Sequence, residues 1–140
     1  MKNISIDDGR EAITINGDPE RVIYIQPSDH NINLRNMQAR QKISELLEEL
    51  DNAKPETEEA FADLLDKIDT EVKAQVDHIF NYDVSAVVFG LCSPLMSLKS
   101  GKSYIEEFLE AIAPIIEETS KKAAEASEKR IAKHTGKYDK

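Results

Sequence analysis

Over the first 27 positions apolar residues fall at every second place, with Ile4 and Ile6, Ile13 and Ile15, and Ile23 and Ile25 alternating with polar neighbours. That period of two belongs to strands with one buried face. Asp8-Gly9 and Asn16-Gly17 separate the runs with residues that accept positive φ, so the pattern predicts a β-hairpin over about 11–27, pairing 12–15 with 22–26, and a further strand around Ile4. A lone hairpin is marginal in water and needs an apolar surface to lie on, which the rest of the chain can supply only with helices.

After Pro27 the period lengthens. Ser28 or Asp29 can cap a helix over about 28–52 whose stripe is Leu34, Met37, Ile43, Leu46, Leu47 and Leu50, closed by Asp51-Asn52 and Pro55. Thr57, followed by Glu58 and Glu59 at the positive end of the helix dipole, opens a second helix over about 56–81. Its stripe Phe61, Leu64, Leu65, Ile68, Val72, Val76, Ile79 and Phe80 is the cleanest periodicity in the chain, and a short turn makes the two helices an antiparallel pair. Asp83 can cap a short segment over about 83–91 that is apolar nearly all round, which fits either a core element or an exposed binding patch. A further helix over about 102–118 carries Ile105, Phe108, Leu109, Ile112, Ile115 and Ile116, with Pro114 inside it predicting a kink near Glu110. Beyond Ile116 the stripe fades, so 119–140 reads as a projecting basic helix that ends at Gly136. The expected fold is mainly α: one domain over 1–118, a helical body with a small N-terminal hairpin, followed by the basic C-terminal helix.

The 140 residues suffice for one core, and 40% hydrophobic content is too high for a wholly disordered chain. The net charge of −9 is unevenly placed: residues 121–140 carry +4 and the remainder −13. An acidic body of that size is repelled by phosphates, which argues against nucleic acid as a partner. The longest apolar run is broken by Gly90 and Pro94, so no membrane partner is expected, and the start lacks the layout of a signal peptide. With a single cysteine, Cys92, the expected location is a cytoplasm.

Candidate chemistry is sparse. Gly101-Lys102-Ser103 resembles the end of a phosphate-binding loop, but that motif needs glycine where Met96 stands, so a helix cap is the better reading. Cys92 has no basic neighbour in sequence to activate it and reads as a small buried hydrophobe. His30, His78 and His134 lie in three different elements without metal-ligand spacing. Asp63, Asp66 and Asp69 share a helix face, but Lys67 and the lack of a glycine-turned loop favour a solvated face over a cation site. No catalytic residue, metal or cofactor is expected, and the chain reads as a protein that is not an enzyme.

Several segments together resemble a family of tail-assembly-chaperone-like proteins encoded by phages and prophages of Gram-positive hosts. They are Ile23-Tyr24-Ile25-Gln26-Pro27-Ser28-Asp29 leading into Leu34 and Arg35, and Asp83 to Gly90 with its Val88-Phe89-Gly90. Tyr104-Ile105-Glu106-Glu107-Phe108-Leu109-Glu110-Ala111-Ile112-Ala113-Pro114-Ile115-Ile116-Glu117 and Lys133-His134-Thr135-Gly136-Lys137-Tyr138 complete the set. They cover about half the chain. Where the family usually has a Gly-rich acidic loop after Val-Phe-Gly, this chain has Leu91-Cys92-Ser93-Pro94-Leu95.

The resemblance implies a protein of the host cytoplasm that keeps the tape-measure protein soluble while tail-tube subunits are recruited, and that is absent from the finished virion. Partners are then the tape-measure protein, the tail-tube protein and other copies of the chain. Val87, Val88, Phe89 and Leu91 are the candidate client groove, with Ile105, Phe108, Leu109 and Ile112 as its other wall; simple core is the competing reading for all of them. Lys121, Lys122, Lys129, Arg130 and Lys133 are candidate contacts of the basic helix. Two other readings stand beside the chaperone: a structural tail or head-tail connector subunit, and a small regulatory or host-interaction module acting through the basic helix.

Overall fold

In a computed structural model, which describes residues 1–26 and 29–138 and the side chains of the last helix as far as Lys133, the fold is mainly α. Strands β1 (Glu11–Ile15) and β2 (Asp18–Ile25) are followed by helices α1 (Ile32–Asn52), α2 (Glu58–Phe80), α3 (Ser85–Phe89) and α4 (Tyr104–Tyr138). No described helix is long and apolar enough to cross a membrane.

The hairpin pairs Glu11 with Ile25, Ala12 with Tyr24, Ile13 with Ile23 and Thr14 with Val22, with an irregularity between Thr14 and Ile15. Asn16 and Gly17, at φ 55° and 72°, form the two-residue turn, whose left-handed backbone matches the twist of the strands. Ile23 and Ile25 are fully buried and Ile13 and Ile15 half-buried, as the alternation predicts. The further strand around Ile4 does not form: Ile4 and Ile6 are 83% and 79% exposed. The carboxylates of Asp7 and Asp8 accept from the Gly9 and Arg10 N–H groups, and Gln26 Nε2 donates to the Asp8 carbonyl at 2.8 Å. Those bonds steer the chain past the end of β2 instead of back along β1.

Helices α1 and α2 are antiparallel. Arg35, near the start of α1, donates to the His78 and Ile79 carbonyls at the end of α2, and Glu49, near the end of α1, meets Lys67 of α2 at 3.1 Å. Thr57 caps α2 by accepting from the Ala60 N–H at 3.0 Å. Thr57→Ala is expected to lower unfolding free energy by about 1 kcal/mol, read by urea denaturation. The α2 stripe is buried from Ile68 to Phe80 and loosens at its start, where Phe61 is exposed.

In α1 the buried face is Ile32, Asn36, Ala39, Ile43 and Leu46, so the first half of the helix is turned away from the expected stripe and Leu34 and Met37 are exposed. Ile43 and Leu46 belong to both stripes; packing against α2 and α4 decides which way the rest faces. Asp29 does not cap α1 as the N-cap residue, a place taken by Asn31 without a side-chain bond. Asp29 instead accepts from the Asn31 N–H at 3.0 Å and pairs with Arg35. The Ser28 alternative lies outside the described residues.

The Arg35 guanidinium holds the Asp29 carboxyl below its ordinary value, helped by the Asn31 N–H and opposed by burial. A depressed carboxylate contributes stability above its unfolded-state pKa, and that contribution is lost as pH falls through the lower, folded-state value. Asp29→Asn is therefore expected to reduce stability near neutral pH and to flatten the stability loss below about pH 4, measured by denaturation across an acid series.

The short helix α3 begins at Ser85, and its cap is not Asp83. Asp77 of α2 reaches across, its Oδ1 accepting from the Val84 and Ser85 N–H groups at 2.8 and 2.7 Å and its Oδ2 from the Ser85 hydroxyl. The helices expected over 102–118 and 119–140 are one element, because α4 runs unbroken from Tyr104 through Pro114 and past Gly136 to Tyr138. Pro114 has no N–H, so Glu110 loses its helical donor; one residue earlier, Arg40 of α1 donates to the Leu109 carbonyl. Packing against α1 thus supports α4 in the turn the proline weakens.

Candidate interaction surfaces

Most of the expected groove is core. Val88, Phe89, Ile105, Phe108, Leu109 and Ile112 are all less than a tenth exposed, packed with Ile23, Ile79 and Ile116. Phe89 lies against Tyr104 with ring centroids 5.3 Å apart, and Phe80 meets Phe108 edge-on at 6.4 Å. Val87 is half-buried, and Leu91 alone of the set stands fully in solvent.

The reason is local. α3 ends at Gly90, whose φ of 57° and ψ of −121° lie where only glycine is comfortable, and this turn ejects Leu91 from the body. Arg21 of β2 seals the α3 end from the other side, donating to the Val87 carbonyl at 3.0 Å, the Val88 carbonyl at 2.7 Å and the Tyr104 hydroxyl at 3.2 Å. Tyr104 in turn donates to the Val88 carbonyl. Three elements are thereby fixed around one guanidinium, and the connection after Gly90 is left to face outward.

That connection and α2 enclose an open groove of about 510 Å³. Leu65, Leu91, Leu95 and Met96 supply its apolar surface, Asp66, Asp69 and Lys73 one rim, and Cys92 lies half-buried in its wall. Asp69 is engaged by Lys73 at 2.9 Å and by the Ser93 hydroxyl at 3.0 Å, so it anchors the loop. Asp63 and Asp66 remain in solvent. Among the described residues no group of His, Cys, Asp and Glu is placed to hold a metal ion. The sequence reading missed Leu65, Leu95 and Met96 here, because the α2 stripe reads as core and the loop shows no period.

The loop returns to α4 through Ser97 and Ser103, and the Met96 and Pro94 carbonyls accept from the first N–H groups of α4, those of Tyr104 and Ile105. The Ser103 hydroxyl donates to Glu106 Oε1 at 2.9 Å while accepting from the Glu106 N–H, an N-cap that makes Gly101-Lys102-Ser103 a helix start. Lys102 pairs with Glu110.

A second cleft, of about 370 Å³, lies between β1 and α4. Ile13, Ile15, Leu98, Phe108, Ile112 and Ile115 line it, with Glu107 at its edge. Of the expected α4 wall, Phe108 and Ile112 line this cleft while Ile105 and Leu109 do not, and the hairpin and not α3 stands opposite them. Of the basic candidates, Lys121, Lys122, Lys129, Arg130 and Lys133 are all exposed along a helix whose last buried residue, among the described side chains, is Ala123. Lys122 is paired with Glu118 one turn earlier.

Compared with family models, with curated proteins and with solved structures, the chain matches none.

Proposed function

We propose that this protein is a phage tail assembly chaperone that coats the tape-measure protein and keeps it in solution while tail-tube subunits assemble, acting through binding and not through catalysis. The reading comes from the family resemblance in the sequence. The observation that carries it onto a surface is the exposed Leu91, which stands with Leu65, Leu95 and Met96 in a groove rimmed by acid and lysine. A long client with apolar helical stripes needs apolar grooves that take i, i+3 and i+4 side chains, and a charged shell that keeps the complex dispersed. Leu91 and Met96 serve the first need, and the net charge of −9 the second. The client surface is thus moved from Val88 and Phe89 to the connection that follows them, the stretch where this chain departs from the family's acidic glycine-rich loop.

The test is co-expression with the longest helix-rich reading frame directly downstream of the gene, scoring how much of that large protein stays soluble. Solubility is expected to rise with the wild-type chain and to return to the unassisted level with Leu91→Asp and Met96→Asp together. Those two positions are exposed, so the variant is expected to keep its thermal midpoint, with stability changed by no more than about 0.5 kcal/mol per site. Failure of the wild-type chain to change solubility, with the protein present in purified particles as a ring of fixed stoichiometry, assigns it to the connector class instead.

A further inference from the structure

We infer that the ten residues ahead of β1 form an exchange arm, with the strand carrying Ile4 and Ile6 adding to the free edge of β1 in a second copy of this chain and closing the cleft between β1 and α4. Ile4-Ser5-Ile6 has the alternation of a half-buried strand, yet within one copy both isoleucines are in solvent and nothing covers them. Their own β1 is out of reach, because the Asp7 and Asp8 turns, the Gln26 bond to the Asp8 carbonyl and the Arg10 guanidinium stacked 4.7 Å over the Tyr24 ring direct the arm away from that edge.

The acceptor is identifiable from the hydrogen-bond phase of the hairpin. The Tyr24 N–H donates outward, to the Tyr82 hydroxyl at 2.7 Å, so Tyr24 and its partner Ala12 are a pair that exchanges no bonds. Pairs alternate along an antiparallel ladder, so the N–H and C=O groups of Ala12 and Thr14 point out of the open side of β1. That is a two-residue template for an added strand. Immediately beneath it lies the cleft lined by Ile13, Ile15, Phe108, Ile112 and Ile115, onto which a third strand would lay its inward side chains. Charge agrees: residues 1–6 carry Lys2 and no acid, while Glu107 edges the acceptor cleft and Glu11 begins the acceptor strand. A reciprocal exchange gives a two-fold dimer in which each copy donates one arm and accepts one.

The test is sedimentation equilibrium of the full chain over a concentration series, with amide hydrogen exchange at Ala12 and Thr14. A dimer is expected, with both amides more protected as concentration rises. Ile4→Asp with Ile6→Asp on the donor side, and Ala111→Lys on the exposed floor of the cleft, are each expected to raise the dimer dissociation constant at least ~10-fold while leaving helical content unchanged. A monomer at every concentration overturns the inference, including one in which Ala12 and Thr14 are protected by the chain's own arm. A dimer indifferent to the arm substitutions overturns it as well, and one that responds to them but not to Ala111→Lys overturns the cleft as the acceptor.

Discussion

Val88→Asp is expected to abolish the cooperative thermal transition of the isolated protein, while Leu91→Asp, three residues away, leaves it in place. Val88 is fully buried among Ile23, Ile105 and Phe89, and its carbonyl is already held by Arg21 and Tyr104. A carboxylate there loses its hydration without gaining a counter-charge, since the guanidinium is committed to backbone oxygens. The cost is at least ~4 kcal/mol, through burial of the charge or its forced protonation. Small domains hold about 5–15 kcal/mol in total, so one such change removes most of the folded population. Phe89→Ala leaves a cavity beside Tyr104 and is expected to cost about 3–5 kcal/mol. Circular dichroism melts of the three variants separate the readings of this segment. A cooperative melt for Val88→Asp close to wild type removes α3 from the core and restores Val88 and Phe89 as a binding face.

Arg21→Ala is expected to lower unfolding free energy by about 2–4 kcal/mol, from a single half-buried side chain. Three acceptors depend on it: the Val87 and Val88 carbonyls at the end of α3 and the Tyr104 hydroxyl. The first two are carbonyls that a five-residue helix cannot satisfy within itself. Arg21→Lys is expected to recover less than half of the loss, because one ammonium on a flexible stem cannot reproduce the planar fork reaching two carbonyls at once. Gly90→Ala tests the same junction from the backbone side. A Cβ at Gly90 has room, its nearest neighbour being the Arg21 guanidinium at 3.7 Å, so any cost comes from φ of 57°, at about 1–3 kcal/mol. Urea titrations of the three variants measure these differences. Equal stability of the lysine and wild-type proteins contradicts the fork geometry.

What the sequence determined by itself is what short-range pattern can encode. The hairpin turn at Asn16-Gly17 follows from residues that accept a left-handed backbone, and the Thr57 cap of α2 from a hydroxyl three residues ahead of the N–H it serves. The buried half of α2 follows from a repeat that only one helix face can satisfy. The Ser103 helix start was legible in the same way.

Tertiary structure decided everything that depends on which surface lies opposite. The first half of α1 offered two faces, Leu34 and Met37 or Ile32, Asn36 and Ala39, and neighbours distant in sequence chose the less apolar one. Asp77 displaced Asp83 as the cap of α3 because a tight turn brings a carboxylate eight residues upstream onto the N–H of Ser85. The apolar run 84–91 could have been core or patch. It is divided at Gly90: Val88 is core because Arg21 closes the helix end over it, and Leu91 is exposed because the chain reverses there. Sequence pattern records how often a residue is apolar but not the direction of the last peptide before it, and that direction is set by contacts between β2, α3 and α4.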